Sequence, residues 1–201
     1  MKLLAILITL TAFAASVHAA PETYVIDNHQ TVANFSFSYL GVVNKTYKFD
    51  KTSGEVVFDR AAKSGSADVT IDATSINTGI ALFNGQIQSA DLFDTAKYPV
   101  IRFKSNNMTI DGDQINLTGE LTIKGVTKQV TLSVSRFKCA PHPVELVDTC
   151  VANATVTIKR SDFSMGKYAF LASDTVTLSL AIGAVKEQSN VQVASRDSGN
   201  Y

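Results

Sequence analysis

Few side chains in this sequence could make or break bonds, and their spacing narrows the chemistry further. The 201 residues hold two cysteines, Cys139 and Cys150, and three histidines. His18 sits in an apolar N-terminal run, which leaves His29 and His142 for the folded part. The cysteines enclose Ala140–Thr149, whose Pro141 and Pro143 suit a loop better than a sheet interior. One cross-hairpin disulfide between Cys139 and Cys150 fits that placement. A metal site would need further ligands close by and only His142 is on offer, so no metal is expected.

Nucleophilic catalysis finds little support. His142 lies between two prolines, far in sequence from any serine in a nucleophile-elbow setting. His29, two residues after Asp27, could serve acid–base chemistry, though the same spacing also stabilises a strand end. Asp111-Gly112-Asp113 lacks the alternating oxygen ligands and distal glutamate of a calcium loop and reads as a hairpin turn. No glycine-rich phosphate loop is present, and no cofactor is expected. Two arginines carry more information. Arg136 continues the inward phase of Val130, Leu132 and Val134, and Arg160 that of Val156 and Ile158, so each should point toward an interior at a strand end. Hairpin pairing puts those ends at opposite mouths, where at most one could meet a ligand headgroup; Arg160 is the candidate. Pairing with carboxylates, or snorkelling from the rim, is the alternative for both.

The elements that position these groups are mostly strands. Val and Thr each occur 20 times and Trp is absent, a bias toward pleated surfaces. Eighteen basic residues balance 18 acidic ones, which leaves no positive field for a nucleic-acid partner. Lys2, the apolar Leu3–Ala15 and the small residues around Val17-His18-Ala19 read as a cleavable secretory signal over 1–19. No later run reaches the length of a spanning helix, so stable membrane insertion is not expected. From there, period-two alternation dominates. Ala33, Phe35, Phe37 and Tyr39 share one face, as do Ala67, Val69 and Ile71; Ile101 and Phe103; Leu117, Leu121 and Ile123; Ala154, Val156 and Ile158; Val176, Leu178, Leu180 and Ile182. Turn signals at Lys51–Gly54, Asp111–Gln114 and Lys124–Thr127 separate the segments. Between Ile80 and Phe93 the spacing of Ile80, Phe83 and Ile87 is helical and predicts one short helix. The barrel domain spans 20–186, and the polar 187–201 reads as a flexible tail.

About eight amphipathic strands in a meander must cover their edges or close on themselves. The reading is all-β, an eight-stranded antiparallel barrel partly covered by the helix, with a sandwich as the structural alternative. Small Ala33, Ala67, Gly119 and Ala154 face bulky Phe35, Phe37 and Phe103, which leaves room for a cavity or for interdigitation in a packed core.

A set of motifs then points to a family. Tyr24-Val25-Ile26-Asp27-Asn28-His29, Ser75-Ile76-Asn77-Thr78, Asp91-Leu92-Phe93-Asp94, Tyr98-Pro99-Val100-Ile101-Arg102-Phe103, Gly119 through Lys128 and Arg160-Ser161-Asp162-Phe163, in that order, resemble the YceI-like family of exported polyisoprenoid-binding proteins. The resemblance spans about Thr23–Val185. It implies a lipocalin-like barrel, an apolar tunnel for an isoprenoid or similar long-chain lipid, and a periplasmic location. The cysteine pair also resembles a subgroup with a disulfide in this loop. Two departures stand out. Leu82-Phe83-Asn84-Gly85-Gln86-Ile87 replaces a charged Arg-Asp pair and a histidine common at the helix start, and Ser164 stands where glycine usually precedes Met165.

These observations lead to an expectation of a lipid-binding protein without catalysis. Phe35, Phe37, Val69, Ile71, Phe103, Leu121, Leu132, Val156, Leu178 and Leu180 are its expected lining, and Phe83 and Ile87 a lid. A homodimer is compatible with it. The rivals are a packed barrel acting as an interaction module and an enzyme acting on a lipid or quinone.

Overall fold

The computed structural model describes residues 20–112, 114–142 and 147–187. The expected signal segment 1–19, the expected tail beyond Glu187, and residues 143–146 of the disulfide loop lie outside that range. Eleven strand segments occur in chain order: β1 (Glu22–Ile26), β2 (Val32–Tyr39), β3 (Val43–Phe49), β4 (Thr52–Asp59), β5 (Ser64–Asp72), β6 (Ile76–Asn77), β7 (Val100–Asp111), β8 (Gln114–Ile123), β9 (Val126–Pro141), β10 (Asp148–Lys159) and β11 (Ala172–Lys186). One α-helix, α1 (Ala81–Gln88), and 3-10 turns at Ala73–Ser75 and Arg160–Phe163 complete the chain.

Three pairs of segments are single long strands bent once. β1 and β2 run along the same edge of β11, pairing Tyr24–Ile26 with Ala184–Lys186 and Val32–Tyr39 with Ala172–Ala181. Their partners β4 and β3 are likewise successive parts of one strand, and β5 is continued by β6. Counted this way the sheet is a closed antiparallel ring of eight, each strand neighbouring the next in sequence and the last returning to the first. The bends sit together and hold one another. Asn28 Oδ1 accepts the Thr52 N–H, the Asp72 N–H donates to Lys51 O, and the Asp50 N–H donates to Ser75 O.

Lys51–Gly54 is therefore a corner inside a strand and not the expected turn. Gly54 is required there because its φ is +140° and an added Cβ would meet the Asp68 carbonyl at 2.1 Å. The other two expected turns are hairpins, with Asp111 opposite Gln114 and Ile123 opposite Val126. Lys124 and Gly125 both take positive φ, the geometry of a two-residue hairpin loop.

The ring has two distinct ends. The turn after β4, the β7–β8 and β9–β10 hairpins and both sheet termini lie at one, called the disulfide end. The β2–β3 and β8–β9 hairpins, α1 and the connection 160–171 lie at the other, the helix end. Outward faces are polar, and their hydroxyls satisfy one another across strands, as in Thr118–Thr131 at 2.9 Å and Ser36–Thr46 at 2.8 Å.

The helix is shorter than the sequence predicts. Its first turn is held by Thr78, whose N–H donates to Asn84 Oδ1 at 2.9 Å. It stops where the Ser89 hydroxyl donates to Gln86 O, and the Phe93 N–H then turns back to Ile87 O. The backbone reverses at Asp94, φ 50°. Leaving the helix there lets Phe93 insert among the barrel aromatics, 6.0 Å from Phe35 and 5.7 Å from Phe49 between ring centroids.

Candidate functional site

Alternating strands send one apolar side chain in two toward the axis, and that inner face encloses a cavity of about 210 Å³. An engineered apolar cavity of roughly 150 Å³ stays dry and admits a benzene-sized guest, so this space is enough to accept hydrocarbon. At the helix end its wall is made by Phe35, Phe37, Phe49, Leu92, Phe93 and Met165. Val69, Ile71, Phe103, Leu121, Leu132, Val156, Leu178 and Leu180 form the middle, and Tyr24, Phe58, Phe137 and Cys150 the disulfide end.

Every residue expected to line the barrel is on this wall, and Ile87 joins it from α1. Phe83 does not. It is 47% exposed, and α1 buries no residue fully, so the helix rests across the wall with Ile87 toward the interior and does not fill the opening.

Phe137, Met108, Tyr24 and Phe58 were not anticipated. Two bulges explain the first pair. In β9, Ser135 and Lys138 face Asn153 and Val151, so Arg136 and Phe137 together oppose Ala152. Arg136 takes φ 54°, absorbs the extra residue and remains exposed, while Phe137 turns to the cavity and packs edge-on to Phe58 at 5.2 Å. The inward aim expected for Arg136 is thus reversed. In β7 the extra residue is Asn106, after which Met108 and Ile110 take the inner face. Buried Ser105 stabilises that bulge by donating to Thr118 O at 2.6 Å. Tyr24 lies on the five-residue β1 beside a corner, where no run of alternation accumulates, and Phe58 follows Val56 and Val57 in β4, three apolar residues in succession that blur the period of two.

Arg160 is at the helix end, 7% exposed and in the cavity wall. Its guanidinium is engaged by backbone: Nε donates to Ser173 O at 3.0 Å, Nη2 to Ala172 O at 2.9 Å, and Nη1 to Lys167 O at 2.6 Å and to Met165 O. Burial pulls its pKa below the usual arginine value, with Asp174 opposing that shift. Asp174 accepts the Ser161 N–H and hydroxyl, and these bonds, more than Arg160, hold its carboxyl below the usual range. Neither carboxylate pairing nor snorkelling describes Arg160. It clamps the connection 165–173 onto the end of β10, and little donor capacity is left for a headgroup.

The remaining polar candidates are structural in their contacts. Asp27 accepts the His29 N–H at 2.8 Å and the Gln30 side-chain amide at 2.9 Å, which shapes the first corner, and His29 itself is exposed. Cys139 and Cys150 face each other across β9–β10 and are disulfide-bonded. The ladder continues past them to Pro141–Asp148, so the loop is shorter than the cysteine spacing suggests. Among the described residues, no three His, Cys, Asp or Glu side chains come together as a metal site would need.

Known proteins place this geometry. Residues 24–184 match the model of the YceI-like domain. Protein YceI of Escherichia coli O157:H7 is 33% identical over 175 residues, covering 85% of this chain and 90% of the relative. The crystal structure of Burkholderia cenocepacia BcnA shares 30% identity with a TM-score of 0.70, covering 79% of this chain and 98% of that one. A polyisoprenoid binding domain from Saccharophagus degradans, 23% identical with a TM-score of 0.59, shares the fold over 82% of this chain and 98% of its own. With its closed ring of eight strands and a match across nearly every described strand, the chain belongs to the YceI-like domain family.

Proposed function

We propose that the protein is an exported, periplasmic carrier that holds a polyisoprenoid or similar long-chain amphiphile in the barrel, without converting it. The observation that carries this reading is the cavity of about 210 Å³ with an almost wholly hydrocarbon wall. Burying a prenyl or acyl tail contributes roughly 0.8 kcal/mol per methylene before ordering costs, so affinity needs no charged contact inside. Two polar groups that reach the wall are otherwise occupied, Arg160 by backbone carbonyls and the Tyr24 hydroxyl by Glu22 at 2.7 Å. The name of the Saccharophagus domain supports isoprenoid as the class. On this reading, residues 1–19 are removed on export and the lining expected from the sequence contacts the tail.

Solvent extraction and mass spectrometry of protein purified from its own compartment is the direct test, with unchanged isoprenoid or long-chain lipid as the expected result. Leu178→Trp, which places bulk in the middle of the cavity, should lower occupancy about tenfold or more while the fold persists. Steady conversion of lipid by catalytic amounts of protein, abolished in His29→Ala while occupancy persists, would overturn the carrier reading in favour of an enzyme.

A further inference from the structure

A second groove lies on the outer face of the barrel, where β9 and β10 part. Their pairing runs from Pro141–Asp148 to Ser133–Thr155 and stops there, while β8 stays on β9 as far as Val126 and β11 stays on β10 as far as Lys159. Beyond Ser133–Thr155 the two strands face each other across a gap, and backbone N–H and C=O groups that a ladder would use point into it. The floor of the groove over this gap is Val130 and Val156. Its banks carry hydroxyls and one amide, from Gln129 and Thr131 on β9 and from Thr155 and Thr157 on β10, and no charged side chain among the described residues lines it.

The groove and the cavity share a wall. Val156 belongs to both, and Val130 packs against the core, so a single layer of side chains separates hydrocarbon space from hydrogen-bonding surface. The groove also has capacity to spare. Thr131 is satisfied by Thr118 at 2.9 Å, and Thr157 meets Thr177 at 3.4 Å. Among the described residues, neither the exposed Gln129 amide nor the exposed Thr155 hydroxyl has a hydrogen-bond partner.

We propose that this groove is a headgroup subsite. The tail of a bound amphiphile lies in the cavity, and its uncharged polar end, a hydroxyl or a carbonyl, passes between Val130 and Val156 to hydrogen-bond with Gln129, Thr155 and the backbone at the gap. The inference rests on the carrier reading for the tail and adds the class of head. Lys128 and Lys159 adjoin the gap in sequence without lining the groove, so the lining itself offers hydrogen bonds and no charge.

A farnesol analogue with a photoreactive diazirine beside its hydroxyl locates the head. Label on Gln129, Thr131, Thr155 or Thr157, whose side chains face outward, is the expected result. Label confined to cavity-wall residues such as Phe93, Met165 or Phe137 would overturn the proposal. In titrations, Gln129→Leu combined with Thr155→Val should weaken farnesol binding about tenfold, with circular dichroism unchanged. Binding of farnesene, which has the same tail and no oxygen, should stay within about twofold of the wild type. Equal loss for both ligands, or loss for neither, would overturn the subsite, and farnesyl phosphate binding to the wild type about tenfold tighter than farnesol would overturn its uncharged class. Failure of the wild type to bind either farnesol or farnesene would remove the carrier reading and the subsite together, whereas farnesene binding retained alongside misplaced label would leave the carrier reading standing alone.

Discussion

At the disulfide end, β9 and β10 stay paired from Ser133–Thr155 out to Pro141–Asp148, interrupted by the single bulge at Arg136, and are covalently joined between Cys139 and Cys150. At the helix end the same two strands part. Their ladder stops at Ser133–Thr155, although β9 begins at Val126 and β10 continues to Lys159. The disulfide end is further closed by Tyr24, 1% exposed against Cys150 and Ala184, and by the Phe58–Phe137 pair. Outside it, Glu22 accepts from Tyr24 and Lys186, with Arg60 nearby. The helix end depends on a few long polar side chains holding irregular backbone. Arg160 gathers the connection after β10, and the Lys124 ammonium donates to Ala90 O and Ser164 O, tying two loops to one hairpin. One end thus draws its rigidity from ladder, cross-link and packing spread over many residues. The other concentrates it in a few side chains, the pattern expected of a region that opens locally at low cost.

Arg160→Met tests that contrast most severely. It strips four carbonyls, one of them buried and three partly buried, of their donor and should cost roughly 3 kcal/mol, read by denaturant unfolding. A loss no larger than that of a surface substitution would mean that the clamp is dispensable. Next comes the paired Cys139→Ser, Cys150→Ser change, which should cost about 2 to 3 kcal/mol and lower the melting temperature without emptying the cavity. Lys124→Met should cost about 1 kcal/mol and accelerate amide exchange in the segment after α1, while exchange at the disulfide end stays as it was. If both ends respond alike, the ends are not independent.

Acid should act most gently. Asp91 accepts from Lys167 and from the Tyr168 hydroxyl, and these bonds hold its carboxyl below the usual range. Glu22 is lowered in the same way, chiefly by Lys186 and then Tyr24. Both folded pKa values are depressed, so each contribution is complete above the unfolded carboxylate range, about pH 4, and is lost as pH falls through the folded value. Carboxyl chemical shifts followed downward from neutral pH should therefore titrate below ordinary carboxylates at both ends. A midpoint above the ordinary range at either residue would break the ion pair assigned to it.

The inner face was legible wherever alternation ran without interruption. Phe35 and Phe37, Val69 and Ile71, or Leu178 and Leu180 need only a period of two. It failed where the chain inserted one residue, because a bulge shifts phase without leaving a compositional mark. Arg136 read as inward for that reason and Phe137 went unnoticed. Gly54 looked like a turn because glycine marks close backbone approach as readily as chain reversal. The helix was overestimated because Leu92 and Phe93 are apolar at nearly helical spacing, and only tertiary packing among the aromatics decides that they leave it. Arg160 was located at its mouth correctly, but carbonyls from residues five to 13 positions away leave no sequence signature.

The lapse in the β9–β10 ladder has a mechanical side. A ring of strands laced all the way round is a hoop, and widening it anywhere means breaking hydrogen bonds. Where Val126–Leu132 and Val156–Lys159 lie side by side without a ladder, the hoop carries a slit. Val130 and Val156, half-buried at its edges, can move apart without breaking a ladder bond, and the Lys124–Ser164 hydrogen bond is the side-chain tie that spans the gap. The girth of the barrel is therefore fixed at the disulfide end and adjustable at the helix end, so that a guest thicker than the resting bore strains the wall along a single line.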